Sequence, residues 1–303
     1  MVLLCRRVPC LLLLFVLAGC GPPHIPTARE HIFPENSRSY LKKGIELREK
    51  GDYDGAEAAY NEAIRLDPHN VEALEELGFI AMLRGDFNTA LRDFTLSISI
   101  NPLATGPYFN RAAVYMMTGA YDKAVSDYDT IIARDPRNSL AYGNRAAARS
   151  FLGQYDAALA DLNQAVELDP HNAELLYTRG VVQLNRLDYD SAIADLSLFI
   201  AHNPQRDEAY FERAFAYLAS TRYDEALSDF TTATRINPAN VEAYFYQAVT
   251  LERKGAIDEA IAAYEVFLGL DLPPAAQQHI EDAMASIKSL KEMRQMRPKD
   301  KAH

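Results

Sequence analysis

The sequence predicts an all-α fold of stacked helical hairpins, and three observations predict it. Proline returns every 34 residues, at Pro68, Pro102, Pro136, Pro170, Pro204 and Pro238. Alanine keeps the same beat at Ala56, Ala90, Ala124, Ala158, Ala192, Ala226 and Ala260. Ahead of each alanine a large residue is followed four places on by a small one: Tyr40 and Gly44, Leu74 and Gly78, Tyr108 and Ala112, Tyr142 and Ala146, Leu176 and Gly180, Tyr210 and Ala214, Tyr244 and Ala248. A fixed period of this length marks repeated supersecondary units that bury their apolar faces against one another.

Each unit can be justified in chain order. The large and small residues four apart share one helical face, so a partner helix can approach closely over the small one. A turn follows, as in Gly51-Asp52-Tyr53, Gly85-Asp86-Phe87 and Gly119-Ala120-Tyr121. The second helix carries the periodic alanine and, four residues later, Tyr60, Phe94, Tyr128, Leu162, Leu196, Phe230 or Tyr264, again on one face. Proline then ends the unit, because it cannot donate to a continuing helix and holds the preceding Asp or Asn extended.

These units resemble tetratricopeptide repeats. Seven fit, at residues 37–70, 71–104, 105–138, 139–172, 173–206, 207–240 and 241–274. The last departs from the pattern, with Leu272 at the proline position and Pro273 and Pro274 just after. The resemblance implies a right-handed α-solenoid. Residues 275–295 read as a capping helix whose stripe of Ile280, Ala283, Met284, Ile287 and Leu290 covers the last apolar face, and residues 296–303 as a basic tail.

The N-terminus carries a different signal. Arg6 and Arg7 precede the apolar run 11–16, which ends in Leu17-Ala18-Gly19-Cys20, a secretory signal too short to span a bilayer as an ordinary helix. Small residues directly before a cysteine resemble the lipobox of bacterial lipoproteins. By that resemblance residues 1–19 are removed and Cys20 takes a diacylglycerol, with a further acyl chain such as palmitate on the new amine. Gly21 rather than Asp after the cysteine favours the outer membrane, facing the periplasm. The cysteines are Cys5, Cys10 and Cys20, so the processed chain keeps one and forms no internal disulfide. A proline-rich tether, 20–36, holds Pro22, Pro23, Pro26 and Pro34, and at ~3.1 Å per residue spans on the order of 50 Å.

The formal net charge is −11, and removing residues 1–19 takes two arginines and no acid, which argues against nucleic acid as a partner. No phosphate-binding glycine loop, paired-histidine metal helix or nucleophile elbow occurs, so neither a catalytic residue, a cofactor nor a metal site is expected. One charged pattern is regular. Asp93, Asp127, Asp161 and Asp195 each precede an arginine by 18 residues, at Arg111, Arg145, Arg179 and Arg213. That spacing predicts ion pairs between neighbouring units, each exposed and worth ~0–1 kcal/mol; an arginine row gripping an acidic ligand is the alternative.

At about 100° per residue, positions two before and one, five and eight after the opening large residue point away from the hairpin core. In tetratricopeptide arrays this face lines the concave groove. Here it presents Phe79, Met82, Phe109, Met116, Tyr177, Phe211, Phe215 and Phe245, and both packing between units and ligand binding account for such apolar character. Asn110 and Asn144, one unit apart, resemble two rungs of the asparagine ladder that holds a peptide backbone, or bond to backbone nearby. The expectation is a non-enzymatic, membrane-anchored scaffold or adaptor that binds proteins or peptides in the bacterial envelope. The alternative is a self-associating structural spacer that recognises no peptide.

Overall fold

The computed structural model describes residues 35–296. The leader, Cys20, the tether up to residue 34 and the tail from residue 297 lie outside them. The described residues form 15 α-helices and one 3-10 turn, with no strand among them, and the chain divides after Pro170 into two compact units. The fold class is all-α, built of consecutive helical hairpins packed as a solenoid.

In the first unit, α1 (Glu35–Glu49) and α2 (Tyr53–Leu66) form one hairpin, and α3 (Val71–Leu83) and α4 (Phe87–Ile100) the next. Then come α5 (Gly106–Met117) with α6 (Tyr121–Arg134), and α7 (Ser139–Phe151) with α8 (Tyr155–Leu168). The second unit holds α9 (Ala173–Asn185) with α10 (Tyr189–His202), and α11 (Asp207–Ala219) with α12 (Tyr223–Ile236). Its last hairpin is α13 (Val241–Lys254) with α14 (Ile257–Leu268), followed by α15 (Gln277–Met296) packed on α14.

Local chemistry sets the boundaries. The residues before the periodic prolines are extended, as Asp67 at φ −140° and Asn237 at φ −126°, which stops each second helix. Asn70, Asn138 and Asn240 then cap the next first helix through their side-chain oxygens, and Asp52, Asp86 and Asp188 do so for second helices. Five hairpin turns place glycine in the left-handed region; the same turn position is Leu187 (φ 67°) and Thr221 (φ 61°) in the second unit, a strained choice for side chains with a Cβ.

The small-residue positions perform as the pattern requires. A Cβ built on Gly78 would lie 2.7 Å from the Phe94 ring, and one on Gly44 2.4 Å from the Tyr60 ring. The seven periodic alanines are fully buried, and so are the large residues four places after them. On α15, Ala283 and Leu290 are buried and Ile280 and Ile287 pack on the terminal core, whereas Met284 is exposed and leaves the expected stripe.

The charged pattern differs from the sequence expectation. The strong pairing runs inside each hairpin, 16 residues forward from Arg to Asp: Arg111 to Asp127, Arg145 to Asp161, Arg179 to Asp195 and Arg213 to Asp229. Nε and Nη2 of each arginine donate to both carboxylate oxygens, at 2.6–2.9 Å. The four aspartates are buried, so these are not exposed surface pairs. Coupling to the preceding unit is the secondary contact. Arg111 Nη1 donates to Thr95 Oγ1, Arg145 Nη1 to Asp129 Oδ1 and Arg213 Nη1 to Ser197 Oγ. The guanidinium groups of Arg111, Arg145 and Arg213 therefore close their own hairpins and clip each to the one before.

Candidate functional site

The candidate groove is built on the first helices, whose residues at positions 34 apart line up by repetition. In the first unit α3 contributes Phe79 and Met82, α5 Phe109, Asn110 and Met116, and α7 Asn144. Phe79, Phe109 and Asn110 are half-buried, while Met82, Met116 and Asn144 are buried. In the second unit Tyr177, Phe211 and Phe245 are buried and Phe215 is half-buried.

The aromatics just after the opening large residue do not point away from their hairpins. Phe109 meets Tyr128 edge-on at 5.9 Å, Tyr177 tilts on Phe199 at 5.1 Å, and Phe211 meets Phe230 at 5.7 Å, each on its own second helix. Phe245 meets Tyr264 and Phe267 and is further covered by His279 of α15, at 4.4 Å. Their rings reach across one helical step toward the second helix, so packing claims this part of the face. The opening tyrosines instead lie under the clip arginines, as Arg111 over Tyr108, Arg145 over Tyr142 and Arg213 over Tyr210, at 5.3–5.8 Å.

Polar atoms remain where the packed aromatics stop. The Asn144 Oδ1 and Ser150 Oγ atoms of α7 are buried with no hydrogen-bond partner among the described residues, and so are Tyr177 Oη and Gln183 Oε1 of α9. A buried acceptor without a donor is costly unless something supplies one. Asn144 is thus the one member of the expected ladder pair with an unused, desolvated oxygen.

Carboxylates form the other character of this face. On α3, Glu75 lies half-buried between Ser97, whose hydroxyl donates to it at 3.4 Å, and Gly106, where a Cβ would come within 3.0 Å of its Oε2. Burial pushes its carboxyl up to about 7, with Glu72 and Glu76 adding to the rise. Glu76 is buried against Arg48 at 3.0 Å and accepts from the Tyr60 hydroxyl; burial raises its pKa too. In the second unit Arg206 bridges Glu174 (3.1 Å) and Glu208 (3.2 Å). Glu75 stands one residue after the opening Leu74, and Glu174 and Glu208 two before Leu176 and Tyr210, so the same position rule puts them on this face. The 34-residue recurrence of Glu174, Glu208 and Glu242 was the available signal.

Among the described residues no group of side chains is arranged to hold a metal ion, and no helix is long and apolar enough to cross a membrane. What the face can do is accept hydrogen bonds and cations along a stack of helices.

Comparison with known proteins bears on the repeats. Models of the tetratricopeptide repeat match residues 44–83, 127–160, 153–215 and 211–277. No curated protein matches the chain. Among solved structures, a tetratricopeptide repeat protein from Parabacteroides merdae is similar at 20% identity and a TM-score of 0.64, covering 85% of this chain and 100% of its own. PilF of Pseudomonas aeruginosa aligns at 15% identity and a TM-score of 0.61 over 71% of this chain and 97% of its own. YrrB, described as a tetratricopeptide-repeat protein with an unusual peptide-binding site, aligns at 19% identity and a TM-score of 0.52, over 61% of this chain and 95% of its own. At these identities the likeness is one of fold. Repeat matches and fold together identify the chain as a protein built of tetratricopeptide repeats, a fold typical of protein–protein interaction scaffolds.

Proposed function

We propose that the chain is an adaptor or scaffold that binds a protein or peptide along the inner face of its first helices, tethered to a bacterial envelope membrane through a lipid on Cys20. The observation that carries the binding reading is the Asn144 carboxamide, whose buried oxygen has no donor and stands one repeat from Asn110. An extended peptide offers the backbone N–H that this oxygen lacks. The half-buried Phe79, on the hairpin before that of Asn110, gives apolar surface for side chains. The peptide-binding site named for YrrB is in keeping with this use of the fold.

The anchor rests on the sequence Leu17-Ala18-Gly19-Cys20, and outer-membrane sorting on Gly21. Cross-linked recovery of partners from the native envelope tests binding. Asn144→Ala with Asn110→Ala is expected to lose partners while keeping helical content; retention of every partner sinks the groove assignment. Mass spectrometry of the processed N-terminus is expected to find acylated Cys20, and an unmodified thiol there removes the anchor. Concentration-dependent light scattering with no recovered partner would instead favour a self-associating spacer.

A further inference from the structure

The period allows one junction between hairpins to be compared with another. In the second unit the Tyr246 ring of α13 lies against the hairpin before it, 5.4 Å from Phe215, 6.1 Å from Phe211 and 6.3 Å from Phe230. Three periods earlier, in the first unit, the same positions are Asn144 for Tyr246, Ala113 for Phe215, Phe109 for Phe211 and Tyr128 for Phe230. Four rings have become two.

The two junctions are otherwise built alike. Ala243, three residues before Tyr246, is buried in one core with Phe211 and Phe230. Its counterpart Ala141, together with Ala147 and Ala148, is buried in one core with Ala113 and Tyr128, and Phe109 packs against it. These three alanines stand three before, three after and four after Asn144 on α7, so the Asn144 side chain rises from the face that meets the third hairpin. There it is 4% exposed, and its Oδ1 has no hydrogen-bond partner among the described residues. Where the second unit buries rings against rings, this junction buries small side chains and an acceptor that nothing supplies.

We infer that the junction between the third and fourth hairpins takes an aromatic side chain of the bound peptide, from the residue whose own backbone N–H donates to Asn144 Oδ1. The inference rests on the peptide-binding reading and specifies the residue that the peptide presents to the first unit. Tyr246 and Phe215 show what a joint of this construction holds. The incoming ring takes the place over Ala113 that Phe215 fills in the second unit, and meets Phe109 and Tyr128 as Phe215 meets Tyr246. Ala113, 3% exposed, is closed over by its neighbours, so entry turns the half-buried Phe109 ring aside.

Fluorescence anisotropy on the full repeat array tests it, with a labelled Gly-Ser heptapeptide carrying phenylalanine at its centre, against leucine or alanine there and against the same phenylalanine N-methylated. The expected order is Phe over Leu over Ala, with about tenfold between first and last. N-methylation removes the N–H and is expected to cost about fivefold in affinity. In Asn144→Leu that methyl is expected to cost nothing further, while thermal stability holds or rises because the orphaned oxygen is gone. Ala113→Phe supplies the counterpart of Phe215, so its thermal midpoint is expected to hold and the preference for phenylalanine to vanish. A fall in that midpoint of more than about 5 °C shows that the joint has no room for a ring and overturns the site. Equal affinity for the phenylalanine and alanine peptides overturns it too; if N-methylation still weakens binding, the backbone contact to Asn144 survives and only the aromatic chemistry is lost. Failure of every peptide to bind also overturns the site, and partners still recovered from the envelope by cross-linking would then leave protein binding standing without it.

Discussion

The second and third hairpins of the first unit share a period and a packing scheme, yet they treat the same buried aspartate differently. In α5–α6, Asp127 is gripped through both oxygens by Arg111 from the facing helix. In α3–α4 the arginine position is Leu77, and among the described residues Asp93 is met by its exposed neighbour Arg92 alone. Burial then raises the Asp93 carboxyl above its usual range. The same hairpin holds Glu75 and Glu76, both pushed up by burial. One hairpin is locked by a paired charge; the other keeps a set of strained acids. The repeat fixes the shape, and a single substituted position decides whether its electrostatics respond to pH.

The largest test of this contrast is Arg111→Ala. It leaves Asp127 buried without its guanidinium, and a loss of about 3–5 kcal/mol is expected in urea unfolding. Replacing both Arg111 and Asp127 by leucine is expected to recover most of it. A single loss no greater than for a surface pair would show that the clip does not hold the hairpin.

Next comes Glu75→Gln. The Glu75 carboxyl keeps its proton in the folded state up to about pH 7 but loses it near its ordinary value when unfolded. Between those two pH values the folded state binds more protons, so stability falls as pH rises, and it levels off above about 7. The variant is expected to match the parent at pH 4 and to exceed it by ~3 kcal/mol at pH 8. Thermal denaturation across that range checks it, and parallel curves would overturn it.

A smaller effect separates the two hairpins at the small-residue position, Gly78 in one and Ala112 in the other. Gly78→Ala drives a methyl against the buried Phe94 ring, an overpacking cost of ~1–3 kcal/mol that outweighs the ~1 kcal/mol gained in helix propensity. A net loss near 1 kcal/mol is expected by calorimetry. The smallest is Leu77→Arg, which supplies the missing clip. It is expected to lower the Asp93 pKa, read by NMR titration, with a gain of ~0.5–1 kcal/mol at neutral pH as lost leucine packing offsets part of the new pair.

The hairpins were legible because proline, alanine and the large–small spacing each have one geometric solution. Pairing was not. Arg111 lies 18 residues after Asp93 and 16 before Asp127, and a 34-residue period makes both separations recur all along the array. Only the crossing of two helices decides which carboxylate the fork meets squarely. The aim of three aromatic rings was hidden for a related reason. A helical wheel gives the direction of a Cα–Cβ bond, but Phe109, Tyr177 and Phe211 extend far enough to swing onto the second helix. The turns escaped the pattern where Leu187 and Thr221 take a glycine conformation, which residue type argues against. Orphaned oxygens such as those of Asn144 and Tyr177 leave no trace in sequence, since they are defined by what neighbours fail to offer.

The backward reach of the clip arginines gives the stack a direction of growth. Thr95, Asp129 and Ser197 wait on one hairpin for a guanidinium that the ribosome has not yet made, and the hairpins of Arg111, Arg145 and Arg213 arrive carrying the latch for their predecessors. Since every such latch looks one module back, recombination that inserts or deletes a whole 34-residue module among the arginine-bearing ones leaves no latch without its keeper. The array can change length during evolution without redesigning its joints.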